Sequence, residues 1–500
     1  MALRKIIGTE TEYGVTVTGP SDVSPVLVAG MLVGQYGAAE LRRVKWDFQE
    51  ENPLRDARGF EGARNREAAE EEGALVNLVL TNGARYYVDH AHPEFSTPET
   101  TNPRDCVLWD KAGEAILYES IRRASEVMPP GARVHVYKNN SDGKGNSYGT
   151  HENYLVDRAV PFARLSAALI PFFVTRQVFT GAGKVGSEEP GANGVTYQLT
   201  QRADFIEAEV GLETTLKRPI VNTRDEPHAD ADRFRRLHVI LGDANMSEVA
   251  TFLKVGTTAL ILMLVEDGAL DTDAFTMAAP VAAIKDISRD PDLRTTVELS
   301  DGRRVTALEH QWEYLEAVKR YLKTKGDDLD VDPEWPAEVV SRWEYVLAGL
   351  EADPMTLERE LDWVAKRALL EGYRERHGLA WNDPKLRMVD LQYHDVDPDR
   401  GLYHRLVSAD RVERLVGDDE VRAAMTEPPT DTRAYFRGRC LARYATSLVA
   451  ASWDALIFDL DGQTLKRIPM LDPHRGTEAH TRALIEAHAD PRDLVEALQG

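Results

Sequence analysis

Cysteine is nearly absent from this chain: 500 residues carry two, Cys106 and Cys440, far apart and without metal-ligand spacing. That excludes a disulfide framework and a cysteine-based zinc site, and fits a reduced, cytoplasmic chain with structural thiols. Positive charge is also short, with 60 Lys and Arg against 83 Asp and Glu and a net charge of -23. A phosphate backbone or an anionic bilayer would be repelled, so neither nucleic acid nor membrane is expected as a partner. A local basic groove remains compatible with that balance. Arg433, Arg437, Arg439 and Arg443 crowd together either to face phosphates or as a solvated helix face.

Long hydrophobic runs are missing too. The longest, ALILMLV at 259–265, is too short to cross a bilayer and reads as part of a buried helix. The opening MALRKIIGTETEYG has no apolar run with a small-residue cleavage site behind its basic residues, so no signal peptide is expected. Neither H-E-x-x-H, nor paired C-x-x-C, nor G-x-S-x-G occurs. GAGKVG at 181–186 matches a dinucleotide fingerprint in letters alone. SEEPGANG follows it, where a phosphate-binding helix should start, and Val185 stands where a Walker loop needs Ser or Thr. Any chemistry is therefore left to carboxylates and oxygen ligands.

Carboxylates are what the sequence supplies. KIIGTETEYGVTV at 5–17 reads as one strand, with Glu10 and Glu12 leaving the same face. Adjacent like charges repel unless a cation lies between them, although solvated strands carry such pairs as well. In RYYVDHAHPEFSTPE at 85–99, Arg85, Tyr87 and Asp89 alternate onto one face, a poor pattern for a core and a good one for a polar cavity. Glu94 and Glu99 follow. Together these acids suit a hard cation such as Mg²⁺, which commonly bridges carboxylates and nucleotide phosphates.

Between those strands, residues 50–72 are dense in charge, with one proline, two glycines and little apolar periodicity, and read as a long inserted loop. A helix is expected from Asn102-Pro103 to Met128, and a hairpin from ARVHVYK, NNSDGKGNS and YGTHENYLV. Further helices are expected from near Ser247 through Val265 and over most of 307–377, and EPPTDT near 428 reads as a junction. His151, Asn153 and His238 are secondary site candidates. Arg202, Arg218 and Arg224 are candidates for a locally basic groove.

GTETEYG, GARYYVDHAHPEFSTPE, SYGTHENYLV, LDWVAK and DPKLRMVDLQYHDVDPDRGLYHRL together resemble the Pup ligase/depupylase family, relatives of glutamine synthetase and the carboxylate-amine ligases. The resemblance implies an α+β, glutamine-synthetase-like antiparallel sheet packed with helices over 1–430, and a small C-terminal domain over 431–500. It implies Mg²⁺, ATP or ADP plus phosphate as cofactors, with the ubiquitin-like protein Pup and pupylated proteins as partners. Asp89 matches the catalytic aspartate, Glu10, Tyr87 and Glu94 match magnesium ligands, and Arg85, Thr97 and Trp453 match positions that hold ATP. Glu12 and Glu99 are added as further ligands on chemical grounds. The inserted loop and the short spacing in DHAHPE are similar to the branch that deamidates the C-terminal Gln of Pup and cleaves Pup from lysines. The alternative is the branch that forms that bond with ATP.

Overall fold

The computed structural model describes residues 2–19, 24–37, 41–49, 51–60, 76–460, 462 and 464–499. Glu50 and 61–72 of the expected inserted loop lie outside the described residues. At the centre is a six-stranded antiparallel sheet, whose strands we number β1 (Ile7–Glu12), β2 (Asn77–Val79), β3 (Arg85–Asp89), β4 (His92–Ser96), β5 (Thr150–Asp157) and β6 (Phe234–Val239), ordered β6-β5-β1-β4-β3-β2. Alternation along β3 and β4 buries Tyr86, Val88 and Phe95 on the face packed against helices. Arg85, Tyr87, Asp89 and Glu94 fall on the other face.

Helices Pro103–Ser125, Phe162–Thr180 and Glu248–Glu266 back the sheet and fill the main core. The first begins as expected: the Asn102 side chain accepts from the Asp105 N–H at 2.9 Å, and Pro103 needs no donor there. Ser247 caps the third by accepting from the Ala250 N–H at 3.1 Å. Glu248–Glu266 is the one helix among the described residues long and apolar enough to cross a membrane, and it is buried inside the protein. Its Lys254 donates to the Asp243 carbonyl and the Asn245 side chain.

Two expectations about strands are corrected. Residues 5–17 are not one strand, because the chain breaks at buried Tyr13, whose N–H bonds to the Pro93 carbonyl at 3.0 Å. Gly14–Thr18 then leaves to pair with Arg133–Tyr137 in a separate two-stranded sheet. Gly14 permits the close approach of Tyr148 at that point, since a Cβ there would lie 2.3 Å from the Tyr148 hydroxyl. For the same reason ARVHVYK and YGTHENYLV form no hairpin: the first strand pairs with Gly14–Thr18, while β5 lies between β1 and β6.

Beyond residue 431, helix Ala434–Tyr444 packs on a four-stranded sheet ordered Leu465–Pro469, Ala455–Asp459, Leu448–Ala451 and Lys45–Trp46. Its apolar cluster includes Phe436, Leu441, Leu456, Phe458 and Trp46. The edge strand comes from the N-terminal part, so this piece is stitched to the main body by pairing of Leu448–Ala451 with Lys45–Trp46.

Candidate active site

Strand register assembles the site. Glu12 stands opposite Glu94 between β1 and β4, and Glu94 opposite Tyr87 between β4 and β3. One register step away, Glu10 faces Ser96 on one side and His151 on the other, and Ser96 faces Arg85. Across β5, Asn153 faces His238. The His90–Ala91 turn leaves Asp89 directly opposite His92, and His90 takes the left-handed conformation that such a tight turn favours, with φ 51°. Every one of these polar groups opens on a cavity of about 300 Å³, except Asn153, which lines a smaller apolar pocket of about 80 Å³ beside it.

Oxygen atoms from Glu12, Asp89 and Glu94 lie within 4.8 Å of one another, as do donor atoms from Glu10, His151 and His238. Burial first, then the neighbouring charges of Asp89, Glu12 and Glu10, pushes the Glu94 carboxyl well above the usual carboxylate range. Such a cluster is costly alone and suits a divalent cation, which would offset the repulsion. At Glu10 burial acts in the same direction, but the hydrogen bond from His151 and the charges of His238 and Arg236 outweigh it and hold the group well below that range. Asn153 donates to Glu10 at 2.9 Å. Burial also raises Asp89, yet His90, with Nδ1 2.9 Å from the carboxylate, keeps it below its ordinary value. Asp89 is thus ionised, with its side chain 35% exposed.

Arg85 is clamped between aromatic rings, its guanidinium 4.0 Å from the Trp46 ring centroid and 3.8 Å from that of Tyr87. Trp46 meets Trp453 edge to face at 5.4 Å. Trp453 lines both cavities, and the smaller one is walled by Ile6, Ile7, Leu155 and Thr97. Thr97 accepts from the Thr9 N–H at 3.0 Å, which fixes its hydroxyl at that wall. An apolar slot thus opens past an aromatic ring and an arginine onto carboxylates.

Glu99 is not brought to the acid cluster. It ion-pairs with Arg433 at 2.8 Å and with Arg437, and burial is outweighed by those two charges so that its carboxyl is pulled down to about 2. Two of the four crowded arginines therefore face a buried carboxylate; Arg439 pairs with Glu427 at 2.6 Å on the surface. Arg202, Arg218 and Arg224 all line the larger cavity. Arg236, unforeseen in the sequence, lines it as well and donates to Asn153 at 2.9 Å. Its only signal was the alternation of RRLHV with His238. The glycine-rich GAGKVG follows the C-terminus of helix Phe162–Thr180, and Lys184 pairs with Glu188 and Asp204.

The model of the Pup-ligase protein family matches residues 5–457. The chain belongs to the Pup-ligase family. A depupylase of Acidothermus cellulolyticus is 55% identical over 507 residues, covering 100% of both chains. The Pup deamidase/depupylase of Mycobacterium tuberculosis is 51% identical over 512 residues and 99% of each chain. A Pup–protein ligase of Xylanimonas cellulosilytica is 40% identical, covering 97% of this chain and 99% of its own. Among solved structures, the Pup ligase PafA in complex with Pup superposes with a TM-score of 0.79 at 32% identity, covering 99% of this chain and 94% of its own. PafA in complex with ADP gives 0.75 at 35%, covering 86% and 94%.

Proposed function

We propose that this chain is a Pup deamidase/depupylase: it hydrolyses the side-chain amide of the C-terminal Gln of Pup to Glu, and the isopeptide bond joining Pup to lysines of pupylated proteins. The observation that carries the choice over a ligase is the 51–55% identity to depupylases along the whole chain, against 40% to a ligase. The two-residue turn between Asp89 and His92 supports it. We take ATP, or ADP plus phosphate, and Mg²⁺ as its cofactors and the cytoplasm as its compartment. The piece from residue 431 onward is read as a small C-terminal domain that completes the nucleotide pocket through Trp453.

Glu10, Glu12, Glu94 and Tyr87 are the groups that would hold Mg²⁺, with Arg85, Thr97 and Trp453 around the nucleotide and Glu99 serving as an anchor for the C-terminal piece. When bound, Mg²⁺ would supply positive charge to an oxygen that becomes anionic. Asp89, kept ionised beside His90, attacks the side-chain carbonyl carbon of the terminal residue. A mixed anhydride forms as the carbon–nitrogen bond breaks, and the nitrogen leaves as ammonia or as the lysine amine, taking from solvent one proton that hydrolysis of the anhydride later returns. Water then hydrolyses the anhydride, returning the Asp89 carboxylate and a terminal Glu. Arg85 adds a fixed cation beside the developing charge.

The assay is direct. Pup ending in Gln, incubated with the protein, Mg²⁺ and ATP, is expected to release ammonia without sustained ATP consumption. Stoichiometric ATP turnover with conjugate formation from Pup ending in Glu would assign the chain to the ligase branch, and no reaction with either would leave it a binding protein.

A further inference from the structure

Trp453 reaches the apolar slot from the turn that joins strands Leu448–Ala451 and Ala455–Asp459, closed by the Ser452 N–H on the Ala455 carbonyl at 2.9 Å. A turn tip does not by itself hold a large ring in one place. Arg437, from helix Ala434–Tyr444, does so. It is 0% exposed, and its guanidinium carbon lies over the Trp453 ring, 5.0 Å from the centroid. Nη1 donates to the Trp453 carbonyl at 2.9 Å, so ring and main chain are gripped together.

The remaining bonds of Arg437 lead to the central sheet. Nε and Nη2 donate to the Gly83 carbonyl at 3.1 and 2.8 Å, and Nη1 and Nη2 both donate to Glu99, the former at 3.3 Å. All five N–H groups of the guanidinium are therefore engaged, on acceptors from three separate segments. Gly83 belongs to the turn that leads into Arg85, and the helix lies close against it. A Cβ at Gly83 would stand 3.0 Å from the Ala434 carbonyl oxygen, and one at Gly438 would stand 2.2 Å from that of Thr81. Arg85 in turn stacks on Trp46, which meets Trp453. Trp453 lines both cavities and Arg437 opens on neither. The guanidinium thus lies behind the indole, and the other side of the ring is the one presented to the slot.

We propose that Arg437 is the positioning residue for the nucleotide base: it sets the Trp453 ring at the slot, so that a bound base completes three layers of guanidinium, indole and base, tied to the turn that carries Arg85. The inference rests on the nucleotide reading of the slot above. Arginine suits the task because its planar fork covers an aromatic face while donating in its own plane to a carboxylate and two carbonyls, which a lysine ammonium cannot do at once. One consequence is linkage. A base stacked on Trp453 stabilises the docked helix, and a docked helix favours the base, by the same free energy.

The test is the affinity for ADP with Mg²⁺, measured by calorimetry on the full-length wild type, Arg437→Lys, Trp453→Ala and the double variant. Lysine keeps a cation beside Glu99 and loses the planar grip. Arg437→Lys is expected to weaken ADP binding roughly tenfold, the scale of one lost base stack. In the Trp453→Ala background it is expected to add less than about twofold, because both changes remove the same interaction. Additive losses, or an unchanged affinity in Arg437→Lys beside a loss in Trp453→Ala, overturn the inference alone. An unchanged affinity in Trp453→Ala overturns the nucleotide reading of the slot, and the inference with it. Should Arg437→Lys fail to fold, hydrogen exchange of the wild type decides: ADP is expected to slow exchange at Gly83 and in the first turns of Ala434–Tyr444, and equal exchange with and without ADP overturns the proposal.

Discussion

Glu94 and Glu12 are direct partners in the antiparallel register of β1 and β4, two carboxylates facing each other with Glu94 3% exposed. Their mutual repulsion is the cost of the proposed cation site, and it sets the sign of the first prediction. Without metal, Glu94→Gln removes the repulsion and is expected to be as stable as the wild type or more so. With Mg²⁺ at about 100 times its Kd the wild type gains about 2.7 kcal/mol, and the variant gains little. Thermal unfolding with Mg²⁺ and with a chelator checks both halves. A variant less stable than the wild type in chelator would contradict the account.

Asp89→Asn keeps the side chain's shape and removes its charge and nucleophilicity. Turnover of Pup ending in Gln is expected to fall by roughly 10⁴-fold or more, on the scale of losing a nucleophile, with the fold and ADP affinity retained. Ammonia release alongside calorimetric ADP binding separates these outcomes.

Trp453→Ala is expected to weaken ADP binding by roughly tenfold, the scale of lost base stacking, while kcat at saturating nucleotide holds. Competition with a fluorescent ADP analogue reads the affinity, and unchanged binding would remove Trp453 from the pocket.

Glu99→Gln leaves Arg433 and Arg437 buried without their counter-charge, a loss of roughly 3–5 kcal/mol. Because the carboxyl is pulled down from 4.5 to about 2 in the folded protein, its contribution is complete above about pH 4.5 and disappears as pH falls towards 2. The gap in urea midpoint between wild type and variant is therefore expected to be wide at pH 7 and narrow at pH 3. An equal gap at both would contradict the pairing.

The polar face of the site was legible in the sequence because it is a local property. Alternation in RYYVD and the E-x-E spacing in TETE place each side chain by strand geometry alone. What joins those strands was not legible, since register is decided by partners far away: β1 takes both β4 and β5, and the expected hairpin dissolves because Arg133–Tyr137 finds Gly14–Thr18 instead. Glu99 shows the limit from the other side. It lies beyond the end of β4 at Ser96, where alternation no longer governs it, and two arginines from beyond residue 430 capture it. Trp46 clamps Arg85 from an edge strand that sequence spacing does not reveal. Thr97 and Trp453 entered through family resemblance, and nothing in their local pattern points to a nucleotide.

The central claim is that the Asp89 carboxylate makes the bond to substrate. A Pup analogue whose terminal side-chain amide is replaced by an electrophilic carbon, incubated with the protein and mapped by peptide mass spectrometry, tests it most directly. The account predicts one adduct, on Asp89, absent from Asp89→Asn and dependent on Mg²⁺ and nucleotide. Inactivation with no label at Asp89 would contradict it and leave that residue the activation of water.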